Sequence, residues 1–324
     1  MYNHSKHKDS EVIAMTKIFI DGREGTTGLR IQQRLEGRKN LELLMLPENL
    51  RKDPEARKDK INESDVTFLC LPDAAAKESA AMAGEYVTII DASTAHRVHP
   101  DWAYGFAELS AAHRAAIAGG KRIANPGCHA SGFIALAYPL VAAGILPKDY
   151  PLACHSLTGY SGGGKKMIAE YESDGRNPEL DSPRQYGLTQ AHKHLPEMQH
   201  VCGLSRAPLF SPIVSDYYAG MEVTVPLHAD LLTGCPSLKT VHEAMADHYA
   251  NQKLVKVLPF GEVPAFCGSN NLSGRDSMEI LVAGNDERIL LISRFDNLGK
   301  GASGAAIQNM NIALGLDETE GLTV

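Results

Sequence analysis

The chain has 324 residues, 44% hydrophobic and 22% charged, which leaves room for two ordinary domains and excludes a peptide module, a disordered chain or a fibrous repeat. A formal net charge of -7 argues against general affinity for nucleic acid, whose phosphates require clustered Lys and Arg. No apolar run is long enough for a signal core or a membrane span, and the six cysteines lack C-x-x-C spacing, so the expected compartment is the reducing cytoplasm.

Residues 1–15 show no periodicity and read as an extension outside the folded unit. From Lys17 to Asp91 an apolar run, a glycine turn, an amphipathic stretch and another apolar run follow one another. This is the signature of a parallel sheet wrapped by helices. The predicted strands are residues 17–20, 41–46, 66–71 and 87–91; the predicted helices are 27–35 and 74–82, the second capped by Asp73. Beyond about residue 125 the runs become short and β-prone, at 153–157, 209–214, 221–225, 279–282 and 289–293. The last two flank the polar turn Gly284-Asn285-Asp286-Glu287, which predicts a hairpin and a mainly antiparallel sheet. The fold class is therefore an α/β Rossmann-like dinucleotide-binding domain (16–125) followed by an α+β catalytic domain (126–294). A turn and helix, 295–324, return to the first domain.

Gly22-Arg23-Glu24-Gly25-Thr26-Thr27-Gly28 follows the first predicted strand and opens the first helix. Residues without Cβ atoms let backbone N–H groups approach a pyrophosphate, with the positive end of the helix dipole behind them. The spacing is G-x-x-G-x-x-G rather than G-x-G-x-x-G, yet its position between strand and helix points to a dinucleotide. Glu48 after the second strand suits the ribose of NAD. Arg23, Arg51 and Lys52 suit the extra phosphate of NADP, which the balance of charge favours.

Asn125-Pro126-Gly127-Cys128-His129 precedes an apolar, helix-compatible run. A thiol at a helix start meets unpaired N–H groups and a dipole that favour the thiolate, which predicts a lowered pKa and a ready oxyanion site. Spacing alone leaves a buried structural role for Cys128 open.

Gly22–Gly28, Asp91–Arg97, Asn125–Cys128, Gly159–Gly164, Ala191–Glu197 and Phe295–Gly304 occur in this order, and the ordered set resembles the N-acetyl-gamma-glutamyl-phosphate reductases, in their shorter subtype, from about Lys17 to the end. The resemblance implies an NADPH-dependent step of arginine biosynthesis. In it an acyl phosphate is reduced to N-acetyl-glutamate semialdehyde through a thioester on Cys128, by a homo-oligomer, dimer or tetramer, without nucleic acid or membrane.

Proton exchange in that chemistry suits histidine, and His192 and His194 are the candidates. A metal pair completed by His200 or Cys202 is the rival reading, disfavoured because no second tight ligand pair is present. His129 is a poorer candidate, since neighbours on a helix point apart. Gly159–Gly164 with Lys165 matches the start of a P-loop, but Lys166 stands where a hydroxyl is needed. Ser161 and Lys165 remain candidates for holding the acyl phosphate, beside a plain glycine turn. Ser93 and Thr94 fall at the carboxyl edge of the sheet, where cofactor and substrate meet. Arg97 offers a paired contact to a substrate carboxylate, and Asn297, by the resemblance, lies on the nicotinamide side. Two other readings stand beside this one: an aspartate-semialdehyde dehydrogenase-like reductase, and a non-catalytic dinucleotide sensor.

Overall fold

The computed structural model describes residues 15–324; the expected extension lies, through residue 14, outside the described residues. The first domain runs β1 (Thr16–Asp21), α1 (Thr26–Leu35), β2 (Leu41–Leu44), α2 (Pro54–Glu63), β3 (Val66–Leu69), α3 (Asp73–Met82), β4 (Thr88–Asp91), β5 (Ala103–Tyr104), α4 (Ala111–Gly119) and β6 (Arg122–Ala124). Its six strands are all parallel, in the order β2-β1-β3-β4-β6-β5. Alternate residues of a strand face opposite sides, so Ile18 and Ile20 join Ile31 and Leu35 of α1 while Phe19 packs with Ile61 of α2 on the other face. Burial on both faces explains the near-continuous apolar strands. The strand order reverses between β1 and β3, and a crevice opens at their carboxyl ends.

Helix α2 escaped the sequence reading because it is strongly polar and buries only Arg57 and Ile61. Its Asp53 cap, which accepts from the Ala56 N–H at 2.8 Å, was nonetheless a readable start signal. Asp73, expected to cap α3, is instead its first residue; its carboxylate accepts from the Thr94 N–H at 3.0 Å and the Thr94 hydroxyl at 2.5 Å.

The second domain comprises α5 (Cys128–Ala142), β7 (Ala153–Gly159), α6 (Gly164–Glu172), β8 (Arg184–Gln185), α7 (Leu195–Cys202), β9 (Leu209–Ser215), β10 (Met221–His228), α8 (Leu238–Tyr249), β11 (Val255–Val257), β12 (Met278–Gly284) and β13 (Arg288–Phe295). Its seven strands are ordered β11-β12-β13-β10-β7-β9-β8. Four of the six pairings are antiparallel, including the expected β12–β13 hairpin, whereas β7–β9 and β11–β12 are parallel. Helix α5 is apolar almost all round because it is sandwiched between that sheet and α7 and α8. Phe133, fully buried there, contributes about 2–3 kcal/mol.

Helix α9 (Gly304–Ala313) crosses back, and its Ala306, Ile307 and Met310 complete the core of the first domain. The chain beyond it touches both domains. Glu320 pairs with Arg38 at 2.9 Å, while the Thr323 N–H donates to Asp276 at 2.9 Å, and Asp276 in turn holds Arg34 at 2.6 Å.

Candidate active site

Cys128 occupies the first turn of α5, half-buried, with its thiol on a cleft of about 400 Å³ between the domains. The turn before it is fixed from several sides. The Asn125 N–H donates to the Asp91 carbonyl at 2.8 Å, and the Asn125 side chain donates to the Ala302 carbonyl at 3.0 Å. The Gly127 N–H donates to Glu197 at 2.8 Å. A Cβ at Gly127 would overlap the Arg97 guanidinium and the His194 imidazole; glycine there is what lets both groups reach the cysteine.

The expected lowering of the thiol pKa is corrected by its surroundings. Burial dominates and pushes the Cys128 thiol up, while the His129 N–H, Arg97 and Lys193 pull it down less strongly. The resting side chain is therefore mainly a thiol at neutral pH, and the thiolate grows as pH rises. Iodoacetamide should accordingly alkylate Cys128 at a rate that climbs with pH and reaches half its limit above the ordinary thiol value of about 8.5. A plateau reached well below that value would contradict a burial-dominated thiol.

Three imidazoles line the cleft together with Cys128. His192 and His194 have ring centroids 4.7 Å apart, and His129 lies 5.6 Å from each. His129 is thus inside the site, contrary to the expectation that a helix neighbour of Cys128 points away: the cleft wraps the first turn of α5 and reaches both residues. Burial, aided by His192, lowers its pKa to about 3. His194 is also held neutral, well below the ordinary range, by burial first and then by Arg97. It is 5% exposed and its Nδ1 has no partner among the described residues. His200 and Cys202 do not line the cleft.

Arg97 lines the cleft from the first domain. Its Nε donates to the Asn125 carbonyl at 2.9 Å, one Nη to Glu197 at 3.0 Å and the other to the Ala92 carbonyl at 3.1 Å. Glu197, 1% exposed, also accepts from the Tyr104 hydroxyl at 2.7 Å. Sequence reasoning missed Glu197 and Tyr186. For Glu197 the available signal was a carboxylate on α7 among the buried residues Leu195, Met198 and Cys202.

Across the cleft stand Gly25, Thr26 and Thr27, at the start of α1. On the far side of the same turn, Gly22 and Arg23 border a second cavity of about 400 Å³ with Arg51, Lys52 and Glu48, and the two cavities share Leu71. Gly22 has φ 83°, and a Cβ there would strike the Cys70 carbonyl; Gly28 is buried below the turn. A glycine turn at a helix start, with a cavity on each side, fits an extended dinucleotide.

Other expected residues are placed as follows. Ser161 is buried in the cleft wall and accepts from Asn297 at 3.0 Å; Asn297 in turn accepts from the Gly220 N–H at 2.9 Å. Lys165 is exposed and does not line the cleft, whereas Lys193 does. Ser93 and Thr94 do not line it either; Ser93 donates to Asp91 at 2.7 Å and Thr94 is held by Asp73.

Comparison with known proteins agrees with this architecture. A family profile described as "Semialdehyde dehydrogenase, NAD binding domain" matches residues 23–117, and one described as "Semialdehyde dehydrogenase, dimerisation domain" matches residues 128–297. The second points to oligomerisation and the first to a nicotinamide dinucleotide. The chain resembles solved aspartate semialdehyde dehydrogenases in fold. The Vibrio cholerae enzyme II, complexed with ASA, matches with TM-score 0.69 at 16% identity over 93% of this chain and 98% of that one. The Candida albicans enzyme with NADP matches with TM-score 0.64 at 15% identity over 92% and 98%. Among the described residues no helix is long and apolar enough to cross a membrane. In sequence the chain is 48% identical to the N-acetyl-gamma-glutamyl-phosphate reductases of Sinorhizobium medicae, over 305 residues, and Brucella anthropi, over 307, covering 92% of this chain and 98% of each relative. On sequence and fold together, the chain belongs to the N-acetyl-gamma-glutamyl-phosphate reductase family.

Proposed function

We propose that the protein reduces N-acetyl-glutamyl 5-phosphate to N-acetyl-glutamate 5-semialdehyde with NADPH, releasing phosphate, in cytoplasmic arginine biosynthesis. The observation that carries this reading is the position of Cys128. It sits at a helix start in a cleft that also holds three histidines and two cations, facing the glycine turn of a dinucleotide domain. The cations are Lys193 and Arg97, the latter paired with buried Glu197, and among the described residues no carboxylate lines the cleft. An acyl phosphate bearing its own carboxylate complements that charge.

In this mechanism His194 takes the Cys128 thiol proton, the thiolate attacks the acyl carbon, the carbon–oxygen bond to phosphate breaks, and phosphate leaves with its bonding electrons. Backbone N–H groups of the first turn of α5 hold the transient oxyanion. The cofactor held at the glycine turn would supply the hydride that reduces the thioester to the alkoxide of a thiohemiacetal. As that alkoxide collapses to the aldehyde, the carbon–sulfur bond breaks and the protonated His194 returns its proton to the departing Cys128 sulfur. A neutral His194 serves this role over His192, because its ring lies against Gly127 and carries an unengaged Nδ1.

For the cofactor, Gly25, Thr26 and Thr27 would carry the pyrophosphate, with Gly28 packed beneath the turn, Asn297 the nicotinamide end, and Arg23, Arg51 and Lys52 the adenosine phosphate. Replacing Arg51 and Lys52 together by Ala should raise KM for NADPH about tenfold or more and leave KM for NADH unchanged. An equal effect on both cofactors would remove the phosphate assignment. The homo-oligomer, dimer or tetramer, would form on the face of the second sheet turned away from α5, where Leu209 is 70% exposed. The activity itself is tested by phosphate-dependent reduction of NADP with N-acetyl-glutamate semialdehyde, with aspartate semialdehyde as the competing substrate. Turnover only with the latter would overturn the reading.

A further inference from the structure

Behind Cys128 runs a buried chain of three side chains that the mechanism above does not use. The Ser156 Oγ is 2.6 Å from His129 Nδ1, and His129 Nε2 is 2.6 Å from the Tyr186 hydroxyl. Ser156 is fully buried and His129 nearly so, while Tyr186 reaches the cleft beside Cys128, His192 and His194.

A neutral imidazole donates from one nitrogen and accepts at the other, so the chain has two possible proton orders. In one, Tyr186 donates to Nε2 and Nδ1–H donates to Ser156; the Ser156 hydroxyl proton then has no acceptor among the described residues. A buried donor left unpaired disfavours that order. In the other, Ser156 donates to Nδ1, Nε2–H donates to the Tyr186 oxygen, and the phenol proton is left to point into the cleft. Every buried donor is then used.

We infer that Ser156 and His129 are positioning residues that orient Tyr186 as a hydrogen-bond donor to a carbonyl or carboxylate oxygen of the bound substrate. His129 holds no proton in transit; it fixes which way the tyrosine hydroxyl faces. Burial keeps the phenol protonated, with the neighbouring Cys128 acting in the same direction, and keeps His129 neutral, so the orientation persists across the working pH range. Tyr186 and His129 lie 57 residues apart, and the arrangement arises only in the fold.

This inference rests on the proposed reductase reading, and two measurements separate their failures. With ¹⁵N-labelled histidine, NMR of the intact protein should show His129 as the Nε2–H tautomer, without protonation, across about pH 5.5 to 8. An Nδ1–H tautomer overturns the inference whatever the protein catalyses. In turnover, Tyr186→Phe and His129→Phe should each lower kcat/KM about tenfold, and the double variant should be no worse than Tyr186→Phe alone, with the Kd for NADPH unchanged. A Tyr186→Phe variant within about twofold of wild type, or losses that multiply in the double variant, would also overturn it. Wild-type protein that shows the Nε2–H tautomer yet no turnover counts against the reductase reading instead.

Discussion

Cys128→Ser should reduce phosphate-dependent NADP reduction by at least about a thousandfold while leaving NADPH affinity intact. A hydroxyl is nearly isosteric with the thiol, so the turn held by Asn125, Glu197 and Arg97 should survive. Chemistry is what changes: serine has no adjacent group able to deprotonate it fully, and an oxygen ester is a poorer hydride acceptor than a thioester. Removing a covalent nucleophile typically costs three or more orders of magnitude, with residual activity from binding and oxyanion donors alone. Single-turnover kinetics and fluorescence titration with NADPH check the two halves of the prediction. Loss of both would mean a damaged fold, and loss of neither would remove Cys128 from the chemistry and leave the dinucleotide-sensor reading standing.

Glu197→Ala should be the most destabilising single change in the cleft wall. Both members of the Arg97–Glu197 pair are buried, at 3.0 Å. Deleting one partner leaves the other charge in low dielectric without compensation, a loss of about 3–5 kcal/mol. Tyr104 and the Gly127 N–H lose their acceptor in the same step. The effect should appear in urea unfolding as a lower midpoint and in kinetics as a lower kcat, because the Gly127 turn carries Cys128. Glu197→Gln keeps one acceptor oxygen and should recover part of the stability. A Glu197→Ala protein within about 1 kcal/mol of wild type would show that Arg97 finds water or another partner.

What could be read from the sequence was local in origin. The alternation between Lys17 and Asp91, the glycine turn, the hairpin at Gly284 and a cysteine opening an apolar helix are all properties of contiguous residues, and the structure carries each of them. The failures share a cause. Glu197 meets Gly127 across 70 residues of chain and Arg97 across 100, so its role has no local signature. Lys165 drew attention by following a glycine-rich run, yet Lys193 is the lysine that lines the cleft. The thiol pKa was argued from the helix end alone, and the enclosing walls that reverse its direction come from both domains.

The last eight residues behave as a clasp. Because Glu320 grips the first domain and Thr323 the second, rotating the two halves apart would break both contacts together with the direct Arg34–Asp276 pair. Carboxypeptidase trimming of this tail should loosen the halves long before it exposes either core.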